Sequence, residues 1–320
     1  MPAPRSVSVR TPGKINVSLR VGPLRPDGYH GVASVYLAVS LFEEITATAL
    51  GSDEIRLTLS DPDHRLPDAG IPLDGDNLAA RAARAVASRA GLPHAGVHLH
   101  IIKRVPVAGG MGGGSADAAA ALVACNELWN AGLTRDELAE LAAGLGADVP
   151  FALLGGAAAG LGVGDRLTPV PAPGRLHWVL VPASYGLSTP HVYAAVDRLR
   201  AGTGVVEPTE ADPAVLTALA RGNTAGLAGV LVNDLQPAAL ELAPELGPVL
   251  DAGVRLGALA GMVSGSGPTL AFLAADEPAA SALARALRAE GHDALAVYGP
   301  AEGAVVLPAA DTSAPATYRK

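Results

Sequence analysis

The chain has 320 residues, 49% of them hydrophobic, enough for one large core or two moderate ones, which excludes a disordered tail and a small stapled scaffold. A single cysteine, Cys125, excludes an internal disulfide framework and any Cys-rich metal site, so a reducing, cytoplasmic location is the expectation. The net charge of −8 argues against nucleic acid and anionic membrane, which need clustered positive charge, and leaves a small molecule as the expected partner.

In chain order, the opening residues carry Arg5 and Arg10 but no apolar run of export-signal length. Val7 to Val9, Ile15 to Val21 and Val32 to Leu41 read as strands, with Arg25-Pro-Asp-Gly28 as the turn between the second and third, and Ile55 to Leu59 as another. Asp76 is placed to cap a helix over Leu78 to Ala90 that Gly91 stops. Val97 to Ile102 returns to strand. A glycine cluster then leads into Ser115 to Ala124, whose alanine content favours helix. Thr134 and Glu137 form a capping box for a helix that ends near Gly144. The proline-rich stretch Asp165 to Arg175 is the expected domain joint.

The second half opens with a strand, Leu176 to Val181, followed by a helix from Ser188-Thr-Pro190 to Leu199 and a loop from Ala201 to Pro213. Helices are expected near Pro213 to Leu219, Pro237 to Asp251 and Pro278 to Glu290, with strands near Thr269 to Ala274 and Ala294 to Tyr298. The class is α+β. The uncharged stretch Leu256 to Ala275 has the length of a membrane span, but Ser264-Gly-Ser-Gly-Pro-Thr269 in its middle makes it a buried hairpin or loop. From about Leu307 the composition predicts disorder.

Four segments could carry chemistry. Val107-Ala-Gly-Gly-Met-Gly-Gly-Gly-Ser-Ala-Asp117 stands between a strand and a helix, where uncovered backbone N–H groups and the positive helix end could cradle phosphate. It has neither the Gly-Lys-Ser/Thr ending of a P-loop nor a G-x-G-x-x-G register, and a flexible turn is the plain alternative. Thr11-Pro-Gly-Lys14-Ile-Asn16 puts Lys14 and Asn16 on one strand face, to meet an anion or simply solvent. Only three of the 23 basic residues are lysines (Lys14, Lys103, Lys320), so a lysine here can mark a need for a compact, mobile charge.

Asp148, in Gly146-Ala-Asp148-Val-Pro150-Phe, is either a helix cap or a catalytic group. The Ser264 to Thr269 loop is a tight buried turn or a place of close backbone approach to a ligand. His98 and His100 share a strand face, but no third ligand accompanies them and a metal site is set aside.

In order and spacing, Pro12 to Asn16, Pro106 to Asp117 and Val263 to Pro268 resemble the three motifs of the GHMP kinase superfamily. Arg25-Pro-Asp-Gly-Tyr-His30, the Gly-Gly-Gly-Ser115 loop, Gly146 to Phe151 and Asn233-Asp-Leu235 resemble the branch that phosphorylates cytidine-diphosphate methylerythritol. The Asp-Gly-Tyr-His30 segment argues against a homoserine or mevalonate kinase. A non-catalytic nucleotide-binding module on the same fold would need neither Lys14 nor Asp148.

The resemblance implies an N-terminal ribosomal protein S5 domain 2-like, ATP-binding domain over residues 1–168 and a ferredoxin-like C-terminal domain over 169–306, with 307–320 as tail. It implies Lys14 and Asp148 as the catalytic pair, and Pro106, Gly109, Gly110, Gly112, Gly113, Gly114 and Ser115 around the ATP phosphates. Asn77 and Lys103 would lie near the nucleoside. Asn16, Tyr29, His30, Asp148, Thr189 and Tyr193 would hold the cytidine substrate, with Tyr29 or His30 stacked against Tyr193. Ser115, followed by Ala116 where a second serine is common, is left as the loop hydroxyl for magnesium. A monomer or weak homodimer is expected.

Overall fold

A computed structural model describes residues 5–64, 66 and 71–308, so the disorder expected from Leu307 onward falls almost wholly outside the described residues. The chain opens with the long strands β1 (Ser6–Leu24) and β2 (His30–Ala49), then β3 (Ile55–Ser60), α1 (Leu78–Arg89) and β4 (Val97–Ile102). It continues through α2 (Gly113–Trp129), α3 (Arg135–Ala143), α4 (Val149–Leu154), β5 (Ala157–Gly162) and β6 (Arg166–Pro169). The two strand segments expected before residue 22 are one strand. The register of β1 against β2 shifts between Pro12 and Gly13, so a local bulge absorbs a proline that offers no N–H to the ladder.

The second half runs β7 (Leu176–Val181), α5 (Thr189–Leu199), α6 (Pro213–Ala220), α7 (Thr224–Ala228), β8 (Val232–Asn233), α8 (Gln236–Leu242) and α9 (Leu246–Arg255). It ends with β9 (Ala260–Val263), β10 (Leu270–Ala274), α10 (Glu277–Ala289), β11 (Leu295–Gly299) and β12 (Val305–Val306). The helix expected over Pro237 to Asp251 is two, α8 and α9, with Pro244 standing in the break between them. The helix starting at Leu78 is capped by Asn77 rather than Asp76: Asn77 Oδ1 accepts from the Ala79 N–H at 2.9 Å. Within residues 256–275, the stretch 260–274 forms the β9–β10 hairpin and is largely buried.

The main path of the first sheet is β12-β1-β2-β4-β3, and β5 and β8 also pair with its long central strands. On it lies α2, whose alanines pack beside Ala79, Ala80, Ala82 and Ala83 of α1; with neighbours on all sides this helix is apolar nearly all round. The second sheet has the order β11-β7-β10-β9, all antiparallel, the arrangement of a ferredoxin-like domain. The two-domain α+β expectation therefore holds.

The lobes are not separate bodies. Ile15, Val17, Val35 and Leu37 from β1 and β2 share a core with Trp178, Leu180, Ala271 and Leu273 from the second sheet. The expected joint at residues 165–175 begins as β6, which pairs with β5 in the first lobe, and β8 and β12 return to β1 from the second half. One face of β1 is thereby held open to a cleft between the lobes.

Candidate active site

The cleft, of about 870 Å³, gathers residues from the three sequence motifs. Lys14 projects into it from β1, and its backbone N–H donates to the Met111 carbonyl at 3.0 Å, fixing the strand to the glycine loop. Met111 is fully buried, so the side chain in the middle of the glycine loop packs into the core and does not line the cleft. Lys14 Nζ donates to Asn16 Oδ1 at 2.8 Å; Asn16 Nδ2 donates to Ser34 Oγ at 2.7 Å, and Ser34 Oγ donates to the Ser18 carbonyl at 3.0 Å. This relay orients the ammonium before any ligand arrives.

Across from it stands Asp148, with Oδ2 at 3.5 Å from Lys14 Nζ. The residue sits ahead of α4, yet its side chain makes no capping hydrogen bond. Burial, then the Asp148 charge, raises the Tyr36 hydroxyl well above its ordinary value, and the same two causes push Tyr193 up to about 12. Both phenols therefore stay neutral near neutral pH, able to donate toward negative charge.

The glycine loop is shaped for an anion. Gly110 and Gly112 take φ of +75° and +72°, and Gly112, at the N-cap of α2, supplies no side-chain cap. The first N–H groups of that helix are left for whatever enters the cleft, and the helix dipole favours negative charge there. Ser115 lies half-buried in this first turn and lines the cleft with Pro106, Gly109, Gly113 and Gly114. A Cβ on Gly110 would run into the Ser264 carbonyl oxygen.

The second glycine loop closes the site from the other lobe. Asn233 Nδ2 donates to the carbonyls of Val263 at 2.8 Å and Gly265 at 2.7 Å, and Ser264 Oγ donates to the Gly110 carbonyl at 3.4 Å. A Cβ on Gly265 would stand 3.1 Å from Asn16 Oδ1 and 3.5 Å from Lys14 Nζ.

Of the residues expected to hold substrate, Asn16, Asp148, Thr189 and Tyr193 line the cleft, and Thr189 Oγ1 is 3.0 Å from Ser266 Oγ. His30 meets Tyr193 with ring centroids 5.0 Å apart, and its Nδ1 donates to the Gly22 carbonyl at 2.9 Å. Tyr29 is not brought in: it sits in the turn before β2, 64% exposed, and does not line the cleft. Asn77 lines the cleft, but its Oδ1 caps α1 and its Nδ2 donates to the Pro72 carbonyl at 2.8 Å. Lys103 reaches the cleft floor only with its ammonium enclosed by Glu43 and Asp117. Thr58 Oγ1 lies 2.8 Å from His98 Nε2 and 2.9 Å from His100 Nδ1. Among the described residues no cluster of three or more His, Cys, Asp or Glu could hold a metal.

Sequence reading missed Tyr36, Ser34 and Glu43, and gave Asn233 no role. Ser34 and Tyr36 share a strand face with His30, and that period of two is the signal that could have found them.

Comparison with known proteins gives a consistent picture. The model of the GHMP kinases N terminal domain matches residues 77–156, and that of the GHMP kinases C terminal domain matches residues 215–293. The 4-diphosphocytidyl-2-C-methyl-D-erythritol kinase of Paenarthrobacter aurescens (strain TC1) is 59% identical over 307 residues, covering 95% of this chain and 96% of its own. A crystal structure of 4-(cytidine 5'-diphospho)-2C-methyl-D-erythritol kinase superposes with a TM-score of 0.75 at 34% identity, covering 92% of this chain and 99% of that one. Homoserine kinase from Cytophaga hutchinsonii, at 19% identity, TM-score 0.69 and coverage of 94% and 97%, shares the fold. Among the described residues, no helix is long and apolar enough to cross a membrane.

Proposed function

Because the chain belongs to the GHMP kinases, and within them to the 4-diphosphocytidyl-2-C-methyl-D-erythritol kinases, we infer that it phosphorylates that compound. It transfers the terminal phosphoryl group of ATP to the 2-hydroxyl, a step of the non-mevalonate route to isoprenoids. The observation that carries the assignment of roles is the pairing of Lys14 with an uncapping Asp148 at the mouth of a glycine loop.

Phosphoryl transfer asks a protein mainly for positioning and charge stabilisation. On this reading the triphosphate lies on the free N–H groups at the start of α2, along Gly109 to Ser115. Asp148 accepts the proton of the attacking hydroxyl. Lys14, held by Asn16, faces both that carboxylate and the negative charge of the transferring group. Tyr193 with His30 offers a surface for the cytosine ring, and Thr189 and Asn16 offer polar groups to the rest of the substrate.

The donor set suits magnesium carried in on the nucleotide, since that ion keeps several waters and is held by phosphate oxygens plus one or two protein groups. Ser115 Oγ is the loop hydroxyl that would reach it, and Asp148 lines the same cleft. When bound, the ion neutralises charge on the β- and γ-phosphate oxygens. The division of the chain into an ATP-binding part through residue 168 and a second part over 169–306 is part of the same reading, with the cut falling inside β6.

The test offers the enzyme ATP with three acceptors: the cytidylylated methylerythritol, homoserine and mevalonate. Phosphate should appear on the first alone, at the 2-oxygen. Turnover of homoserine or mevalonate with the first compound inert would overturn the assignment.

A further inference from the structure

Beneath the phosphate loop lies a buried ion cluster that the chemistry above does not use. Glu43 comes from β2, Lys103 follows β4 and Asp117 belongs to α2, and their side chains are 0%, 3% and 6% exposed. Lys103 Nζ lies 2.5 Å from Glu43 Oε1 and 2.8 Å from Asp117 Oδ2, while Glu43 Oε2 accepts from the Arg104 N–H at 3.0 Å. Burial alone would lower the proton affinity of this ammonium, but the two carboxyl groups outweigh it and raise it, so Lys103 stays charged. Two of its three donors go to these carboxyl groups, so although both lysines line the cleft, the Lys103 ammonium is held from within the protein while Lys14 faces Asp148 across the opening.

The cluster touches the loop at one place. A Cβ on Gly113 would lie 3.2 Å from Glu43 Oε1 and 3.4 Å from Lys103 Nζ, so the first residue of α2 rests on the ion pair. Gly112 gives that helix no side-chain cap, and the direction of its free N–H groups depends on what holds the first two turns from below. Asp117 is the grip on α2, and Glu43 the grip on the sheet.

We propose that Lys103, clamped by Glu43 and Asp117, is a positioning residue that aims the first turn of α2 at the triphosphate, and is not a ligand of the nucleoside. The inference rests on the reading that the triphosphate lies on that turn. It assigns Glu43 and Asp117 to nucleotide recognition although neither need touch the nucleotide. Breaking the clamp should then weaken binding of the phosphates and leave the nucleoside's own binding alone.

The experiment is run at pH 9, where Glu43 has given up its proton and Lys103 keeps its own, and measures dissociation constants for a non-hydrolysable ATP analogue by calorimetry and for adenosine and cytidine by NMR titration. It compares wild type, Lys103→Met, Glu43→Gln and the charge-free triple Lys103→Met/Glu43→Gln/Asp117→Asn. Lys103→Met leaves two buried acids without a counter-ion and should lose at least about tenfold for the ATP analogue, with adenosine and cytidine within about twofold. Glu43→Gln keeps a one-to-one Lys103–Asp117 pair and should fold, with a smaller loss of the same selectivity. The triple variant should recover melting temperature and part of the ATP-analogue affinity, because neutral amides replace the ions.

Equal losses for adenosine and the ATP analogue in Lys103→Met, with no recovery in the triple variant, would make Lys103 a nucleoside ligand and overturn the proposal. So would an ATP-analogue affinity in Glu43→Gln equal to wild type, and this arm decides if Lys103→Met does not fold. A general structural defect would instead weaken all three ligands together, and that outcome also counts against it. Wild-type protein that binds adenosine but gains nothing from the phosphates would sink the phosphate-loop reading itself.

Discussion

Asp148 stands at the N-cap position of α4 without capping it, and spends its carboxylate on Lys14, 3.5 Å away. A helix that begins with Pro150 in its first turn has one fewer N–H to satisfy, so the fold can spare the acid. Capping and catalysis were both open from sequence. The missing capping bond removes the first reading, and the second stands as the proposal tested below.

Asp148→Asn should therefore keep its melting temperature and both substrate affinities while turnover falls about 10² to 10⁴-fold, the usual worth of a positioned general base. Melting curves and steady-state rates on one preparation check this. Wild-type turnover in the folded variant would return Asp148 to a structural role.

Lys14→Met removes the charge at similar length. Because Lys14 Nζ also orients Asn16, turnover should fall further than in Asp148→Asn, with the Michaelis constant for the cytidine substrate rising as well. A loosely bonded transition state asks less of a base than of the charges around the phosphoryl group, which favours this order. Ranking the two turnover numbers settles it.

Within the glycine loop, position decides the phenotype. A Cβ on Gly114 meets only Leu78 Cδ1, at 3.7 Å, so Gly114→Val should fold normally yet raise the Michaelis constant for ATP by about tenfold, as bulk enters the phosphate approach. Gly110→Ala combines φ of +75° with a clash against Ser264 and should cost at least about 1 kcal/mol of stability. Thermal melts beside ATP titrations distinguish the two.

Tyr193→Ala should weaken the cytidine substrate by about 1 to 3 kcal/mol, the range for base stacking, with ATP unaffected. Tyr29→Ala should change neither constant by more than about twofold, given its exposure outside the cleft. If Tyr29→Ala alone raised the substrate constant tenfold, the turn would have to fold over the base on binding.

Burial, reinforced by Asp117 and only partly opposed by Lys103, pushes the Glu43 carboxyl up to about 8. The native protein thus holds a proton that the unfolded chain has already released above its ordinary carboxylate range. The stability this group contributes is complete at acid pH, declines from about pH 4.5 and is gone above about pH 8, a change on the order of a few kcal/mol. Chemical denaturation from pH 5.5 to 8.5 should show that decline in wild type and flatten it in Glu43→Gln.

Much of the site could be read from the chain because its chemistry needs rare residues or unusual backbone. A lysine among arginines, and glycines between a strand and an alanine-rich helix, are local signals that survive folding unchanged. The rest depended on contacts between distant segments. Glu43 and Glu44 are adjacent acids on β2, and only the packing of α2 decides that Glu43 is buried while Glu44 pairs with Arg104. Tyr29 and His30 are neighbours too, and the start of β2 puts His30 against Tyr193 while Tyr29 stays in the turn. Asn233 ends a strand of two residues, too short for any periodic pattern, and its grip on the second glycine loop comes from the return of β8 to β1.

The burial of Lys14 and Lys103 also makes the enzyme unusual toward amine chemistry. Lys103 is sealed within its ion pairs, Lys14 opens only into the cleft, and the sequence holds one other lysine, Lys320, at its end. An acylating reagent must enter the cleft to reach Lys14, so the rate at which that amine is modified reports how open the cleft is, and nucleotide bound there would slow it.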